Sequence, residues 1–309
     1  MPWIKRTRNT HAALAAALLM MVAALPLAGQ LPAGYAGSEA CGTCHEEISN
    51  AFAKSPHHEV ETEQKRGWQG RACESCHGPA QKHTESASAD DIRQPAKLAF
   101  TEADKICLGC HLNEPTHVGR LQNSHARNQV PCTACHQIHA KGPFGLAARP
   151  ASAINEQCSS CHLSVWAQFQ RPNHHKLPEG NMSCVDCHNP HGSIRPAMTQ
   201  IFAANEPGCF NCHGDKRGPF TFEHGPVRFQ GCPTCHEVHG SANPRMLTRQ
   251  VVDLVCLECH ANLPTVNNRT GTIGVVPPAF RNLNVPLFQN CTVCHQKIHG
   301  SYVDRNLLK

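Results

Sequence analysis

All twenty cysteines of this 309-residue chain lie in C-x-x-C pairs, and each pair is followed directly by histidine. The pairs are Cys41 and Cys44, Cys73 and Cys76, Cys107 and Cys110, Cys132 and Cys135, Cys158 and Cys161, Cys184 and Cys187, Cys209 and Cys212, Cys232 and Cys235, Cys256 and Cys259, and Cys291 and Cys294. The histidines that follow are His45, His77, His111, His136, His162, His188, His213, His236, His260 and His295. C-x-x-C-H is the attachment signature of c-type haem. On one helical turn, two thiols each add to a porphyrin vinyl group, and the adjacent imidazole meets the iron from the same side. Structural disulfides give no reason for the histidine. A zinc ribbon needs a second C-x-x-C or a histidine pair to complete four ligands, and it does not explain histidine at ten identical positions. The motifs therefore imply ten covalently bound haem c groups, with those ten histidines as proximal iron ligands.

This conclusion answers a shortage elsewhere in the chain. Leu, Ile, Val and Phe make up about 19% of the residues, near the level at which a chain lacks bulk for a core. Porphyrins supply the missing apolar mass, and a haem-free chain is expected to be unfolded. With 22 Gly and 23 Pro breaking up the gaps, the expected fold is a multihaem cytochrome c, mostly irregular. It has short α-helices, little or no sheet, and an elongated haem wire built from two-haem repeats. One helix is expected per motif, with others at 46–53 and 164–170. The repeats fall at approximately 41–106, 107–157, 158–208, 209–255 and 256–309.

Residues 1–30 read as a secretory signal rather than structure. Lys5, Arg6 and Arg8 precede an apolar run from Ala12 to Leu25, with small residues at Ala24, Ala28 and Gly29. The run is short for a membrane span, and no other stretch is apolar enough to form one. The remaining decahaem domain, 31–309, is expected in the periplasm. Without the three signal cations, 25 bases face 23 acids with no basic run, which excludes a nucleic-acid partner. Haem propionates shift this balance, adding roughly −1 per oxidised haem and −2 per reduced one.

The opposite face of each iron needs a sixth ligand. Beyond the signal only Met182, Met198 and Met246 remain, so at least seven irons cannot use methionine. The distal candidates are His57, His58, His83, His117, His125, His139, His174, His175, His191, His224, His239 and His299. If each adjacent pair supplies one ligand, through His58 and His175, ten imidazoles serve ten irons. His139, His191 and His239 stand three residues past a proximal histidine, and His299 four past. His83 is a looser first copy. Such a trailing histidine leaves on the proximal side of its own haem and is better placed to reach a neighbour. The fifth repeat departs from the pattern, because no histidine lies between His260 and Cys291. The haem at His260 then takes a ligand from afar or has a non-histidine or open face.

The chain resembles the decahaem c-type cytochromes of the DmsE/MtrA type over its whole length after the signal. The resemblance rests on the ten uniform motifs, the C-x-x-C-H-x-x-H endings at His139, His191 and His239, and the Cys184-Val-Asp-Cys187-His188-Asn-Pro-His191-Gly192 block. It implies an electron-transfer conduit rather than an enzyme, held partly inside an outer-membrane β-barrel, porin-like partner. Electrons would come from a periplasmic or inner-membrane cytochrome donor. They would pass to an extracellular multihaem cytochrome or terminal reductase, as in extracellular respiration. The alternatives are a soluble periplasmic shuttle and a multihaem reductase with one open haem. All ten motifs are unaltered, which weighs against the reductase.

Overall fold

The computed structural model describes residues 31–114, 117, 119–139, 149–202, 206–260, 262–264, 270–272 and 286–309. The signal segment and most of the Gly/Pro/Asn stretch after Asn262 lie outside them. The chain divides into two compact units. The first takes described residues up to Leu98 together with 138–139; the second takes the rest.

Each attachment motif occupies a single turn. Helices Ser38–Cys44, Ala72–His77, Phe100–His111, Ala151–Ser159, Cys184–Cys187 and Val252–Leu257 carry the first, second, third, fifth, sixth and ninth motifs. The fourth, seventh, eighth and tenth sit instead on 3-10 turns: Cys132–Ala134, Gly208–Asn211, Cys232–Thr234 and Cys291–Val293. The expected α-helix fails there for a local reason. At the fourth, seventh and eighth motifs, Pro131, Pro207 and the Gly231–Pro233 segment leave no room for preceding helical turns, and so short a piece cannot propagate. The functional geometry survives the change. In either form the histidine amide bonds the carbonyl of the first cysteine, at 2.9 Å in His45, His136 and His295 alike.

The two helices expected between motifs are present as Glu46–Phe52 and Leu163–Gln168. The longest helix, Phe100–His111, was not anticipated; it runs 12 residues because no Gly or Pro interrupts it before Gly109. Among the described residues, sheet is limited to three antiparallel ribbons: Ile201–Phe202 with Glu206–Pro207, Phe222–Glu223 with Gly300–Ser301, and Asn262–Pro264 with Thr270–Thr272. Ribbons this short do not stand alone. Among the described residues no helix is long and apolar enough to cross a membrane.

Apolar packing between side chains is sparse. The buried hydrophobic residues include four alanines, and the largest fully buried side chains are Glu74, Asn155, Ser241 and Ser301. Phe229 is 90% exposed and Ile194 80%. Polar clips hold the chain instead. In the first unit, Glu74 accepts the amides of Ala36 at 2.9 Å, Gly37 at 3.0 Å and Ala80 at 2.8 Å, tying the 31–37 segment to the second motif. In the second unit, Asp104 on the third-motif helix accepts the Cys132 amide at 2.9 Å and pairs with Arg120 at 2.6 Å. Asn155 accepts the Cys184 amide at 3.0 Å and donates to the carbonyls of Leu177 and Met182. A buried polar group left unpaired is costly, so each clip fixes its two motifs in one register.

Candidate functional site

The motifs come together in pairs through their first cysteines. The thiols of Cys41 and Cys73, Cys158 and Cys184, and Cys209 and Cys232 hydrogen-bond each other, and so do those of Cys107 and Cys132 and of Cys256 and Cys291. Sharing one proton draws Cys73 and Cys209 down to about 6 and Cys158 to about 7, while Cys41, Cys184 and Cys232 are pushed up. Burial first, then Cys291, raises Cys256 to about 12. The second cysteines face the other way along the chain. Burial raises Cys135, with Cys158 and Cys161 adding to it; Cys187 feels Cys209 and Cys212, and Cys235 feels Cys259. Within the second unit the attachment points from the third motif to the tenth therefore form one unbroken series of neighbours.

The histidines are arranged more tellingly. A metal–imidazole nitrogen bond is about 2.0 Å and the nitrogen lies about 1.1 Å from its ring centre, so imidazoles on opposite faces of one iron have centres about 6.2 Å apart. Nine proximal histidines have another histidine near that spacing: for His111 it is His117, six residues on, and the other eight face a histidine from a separate segment. Four even-numbered motifs face the trailing histidine of the next even motif. These are His77 with His139 at 5.7 Å, His136 with His191 at 5.8 Å, His188 with His239 at 6.1 Å, and His236 with His299 at 6.3 Å. Three odd-numbered motifs face a histidine lying ahead of the preceding even motif. These are His162 with His125 at 6.2 Å, His213 with His175 at 6.3 Å, and His260 with His224 at 6.1 Å. The first motif faces a histidine of its own repeat, His45 with His83 at 6.3 Å and nearly parallel. Two thiols and two imidazoles at this spacing form a donor set that fits iron porphyrin.

Second partners orient the rings. The Nδ1 atoms of His77, His188, His236 and His295 donate to the carbonyls of Arg93, Ala197, Arg245 and Asn306. His83, His125 and His175 donate to Ser88, Pro190 and Val238, and His224 to Ile298. A carbonyl acceptor at Nδ1 fixes the tautomer that leaves Nε2 bare for a metal. Burial, and then the facing imidazole, hold His139, His224 and His239 below the ordinary histidine range. Burial and then His117 and His136 take His191 to about 4. Neutral imidazole is the metal-binding form.

Reading the sequence did not find the loops that supply these acceptors. They recur as His191-Gly-Ser-Ile-Arg-Pro-Ala-Met198, His239-Gly-Ser-Ala-Asn-Pro-Arg-Met246 and His299-Gly-Ser-Tyr-Val-Asp-Arg-Asn306. In each, the serine hydroxyl accepts the amide two residues on. The glycine after the trailing histidine has φ 112°, 149° and 148° at Gly192, Gly240 and Gly300. At Gly192 a Cβ would lie 2.6 Å from the Gly119 carbonyl carbon, so close backbone approach requires glycine. The clips Asp104 and Asn155 were also missed. Their signal was present: the residue three before each odd motif is polar, as Ser38, Asp104, Asn155, Glu206 and Asp253.

The remaining candidates behave differently. His174 has its Nδ1 on the Arg171 carbonyl and its Nε2 3.2 Å from Glu179. His58 lies edge-on to Phe52 at 6.0 Å, and His57 is beside it in the 3-10 helix Pro56–Thr62. His117 bonds the His111 carbonyl through Nδ1 and lies 6.1 Å from the His111 ring but 4.2 Å from His191.

Comparison with known proteins agrees with this geometry. Residues 174–218 and 224–265 match the doubled CXXCH motif family. The multiheme cytochrome MtrA of Shewanella baltica is 32% identical over 277 residues, covering 86% of this chain and 78% of MtrA. The cytochrome c-type protein NrfB of Escherichia coli is 28% identical over 152 residues, 43% of this chain and 77% of NrfB. An identity of 32% over more than three quarters of MtrA assigns the family: the chain belongs to the MtrA-type multihaem c-type cytochromes, electron-transfer proteins that bind haem c covalently.

Proposed function

We propose that the chain carries ten haems and serves as an electron conduit between periplasm and cell exterior, seated in an outer-membrane β-barrel partner. Each haem is tethered by one C-x-x-C pair and held on its proximal face by the adjoining histidine. His83, His139, His125, His191, His239, His175, His299 and His224 cap the haems at His45, His77, His162, His136, His188, His213, His236 and His260. The observation that carries this reading is the set of eight facing imidazole pairs near the spacing that one iron demands.

When bound, haem supplies a one-electron iron couple, and imidazole on both faces keeps it a carrier rather than a site of bond chemistry. The polypeptide sets the spacing. Paired first cysteines bring two tethers of a repeat into contact, and within the second unit the second cysteines bring successive repeats together. Trailing histidines span from one repeat into another and lock the order. The conduit reading, with its barrel, its cytochrome donor and its outer acceptor, rests on the likeness to MtrA together with this unbroken series.

The test is extraction of the native outer membrane in mild detergent, with affinity capture of this chain. A β-barrel protein is expected to co-purify in fixed stoichiometry, and intact mass is expected to show ten haem additions. Recovery of the holoprotein from the periplasmic fraction alone, with no barrel, would replace the conduit by a shuttle.

A further inference from the structure

Ion pairs are frequent along this chain, but among the described residues one alone has both partners buried. The Asp104 and Arg120 side chains are each 6% exposed and meet at 2.6 Å. In every other described pair at least one side chain is 27% exposed or more. Two exposed charges are screened by water and salt; two buried ones are not.

The pair lies along one site. Arg120 follows Gly119, whose backbone comes so near the next loop that a Cβ there would fall 2.8 Å from the Gly192 Cα. Gly192 directly follows His191, the imidazole that faces His136. At the other end of the side chain, Arg120 Nη2 donates to the Val130 carbonyl at 2.8 Å, and Asp104 accepts the Cys132 amide at 2.9 Å. Arg120 therefore runs from the loop that carries the cap of the fourth site to the turn that carries its tether. Its charge is felt at both ends. At Cys132, behind the larger effect of Cys107, and at Cys135 and His191, behind that of burial, Arg120 favours the thiolate and the neutral imidazole.

The two charges are not quenched by their surroundings. Asp104 Oδ2 and Arg120 Nη1 are buried, and neither has a well-directed hydrogen bond among the described residues. The Phe100 ring, 5.4 Å from the guanidinium carbon, supplies no acceptor oxygen. Reduction adds one negative charge to a haem. A buried cation beside the site favours that state, and a buried carboxylate opposes it.

We propose that the Asp104–Arg120 pair sets the reduction potential of the haem held between His136 and His191, the guanidinium favouring the reduced state and the carboxylate restraining it. Both are positioning residues that act through their field. The proposal rests on the reading that His191 caps this haem. The pair thereby biases how electrons distribute between the fourth haem and its neighbours in the series.

The experiment uses holoprotein shown by intact mass to carry ten haems, with His191→Ala marking the haem at His136 by a high-spin ferric signal. Loss of that signal on reductive titration, followed by electron paramagnetic resonance, gives the potential of the marked haem alone. Adding Asp104→Asn keeps an acceptor for the Cys132 amide and removes the carboxylate charge. At a fixed poise, the reduced-to-oxidised ratio of the marked haem should rise about tenfold, about 59 mV for one electron, the effect of a unit charge some 10 Å away in a medium of effective dielectric about 20. Further addition of Arg120→Gln should return the ratio to its starting value, and Arg120→Lys alone should hold it there. An unchanged ratio in Asp104→Asn overturns the inference. So does a change that Arg120→Gln fails to reverse, because loosened packing would move both variants the same way. If Asp104→Asn is not recovered with ten haems, Arg120→Gln alone should lower the ratio by a similar factor, and no fall overturns the inference. His191→Ala without a high-spin haem would overturn the cap reading itself, and the inference with it.

Discussion

The third and fifth repeats contain the same two motifs and use them differently. In the third, Asn155 clips the Cys158 turn to the Cys184 turn, and His175 and His191 both face histidines of other repeats. His175 faces His213 of the fourth repeat, and His191 faces His136 of the second. In the fifth, the single extra histidine, His299, faces His236 of the fourth repeat. His260 receives His224 from outside, and His295 receives no histidine of its unit. Apart from the first motif, whose His45 faces His83 of its own repeat, the facing histidines join different repeats, as in a solenoid whose neighbours share interfaces. The fifth repeat has no histidine between His260 and Cys291, yet His260 still faces an imidazole, that of His224 in the fourth repeat.

The largest expected effect erases the comparison altogether. Chain exported without haem attachment should be unfolded, with a random-coil far-UV spectrum and rapid proteolysis, because its side chains supply little core. A compact haem-free chain would show that the polypeptide folds without the shared sites.

Next come the clips. Asp104→Ala strands Arg120, whose side chain is 6% exposed, and should cost about 3–5 kcal/mol in denaturant midpoint at constant slope. Asn155→Ala removes bonds to Cys184, Leu177 and Met182 and should cost about 2–3 kcal/mol. Equal and negligible losses in both would show that the tethered groups alone set the register.

Replacing a cap is subtler and more diagnostic. His191→Ala should turn one low-spin haem high-spin, the one at His136 in the second repeat, while all ten stay attached. His117 lies 6.1 Å from His111, and His117→Ala, read the same way, tests whether it caps the third haem. Histidine linkage gives a further, smaller effect. His191 has its site value lowered to about 4, against an ordinary 6.5, so its neutral form is the one folding favours. Its contribution is complete above about pH 6.5 and is lost as pH falls through that window towards 4, because the unfolded chain then binds the extra proton. His191→Ala should flatten that part of the stability–pH curve. His174→Ala, removing bonds to Glu179 and to the Arg171 carbonyl, should shift stability by about 1 kcal/mol.

Much of this was legible in the residues. The tethers, the proximal histidines, the short helices and the trailing histidines follow from spacing within a dozen positions. Preference for His175 over its neighbour agrees with the placement of His174 on Glu179. What could not be read was the pairing. His125 reaches His162 and His139 reaches His77 through tertiary contact, and no local period encodes which imidazole faces which. The carbonyl acceptors at Ala197, Arg245 and Asn306 were hidden for the same reason, since a main-chain oxygen has no residue signature. The 3-10 form of the fourth, seventh and eighth motifs was readable in principle from Pro131, Pro207 and Pro233.

The account stands on imidazole on both faces of most irons, and near-infrared magnetic circular dichroism of oxidised, ten-haem protein measures that directly. The bis-imidazole charge-transfer band should have the intensity of at least eight haems. Intensity from fewer than half of them, with five-coordinate or methionine-ligated iron making up the rest, would contradict it.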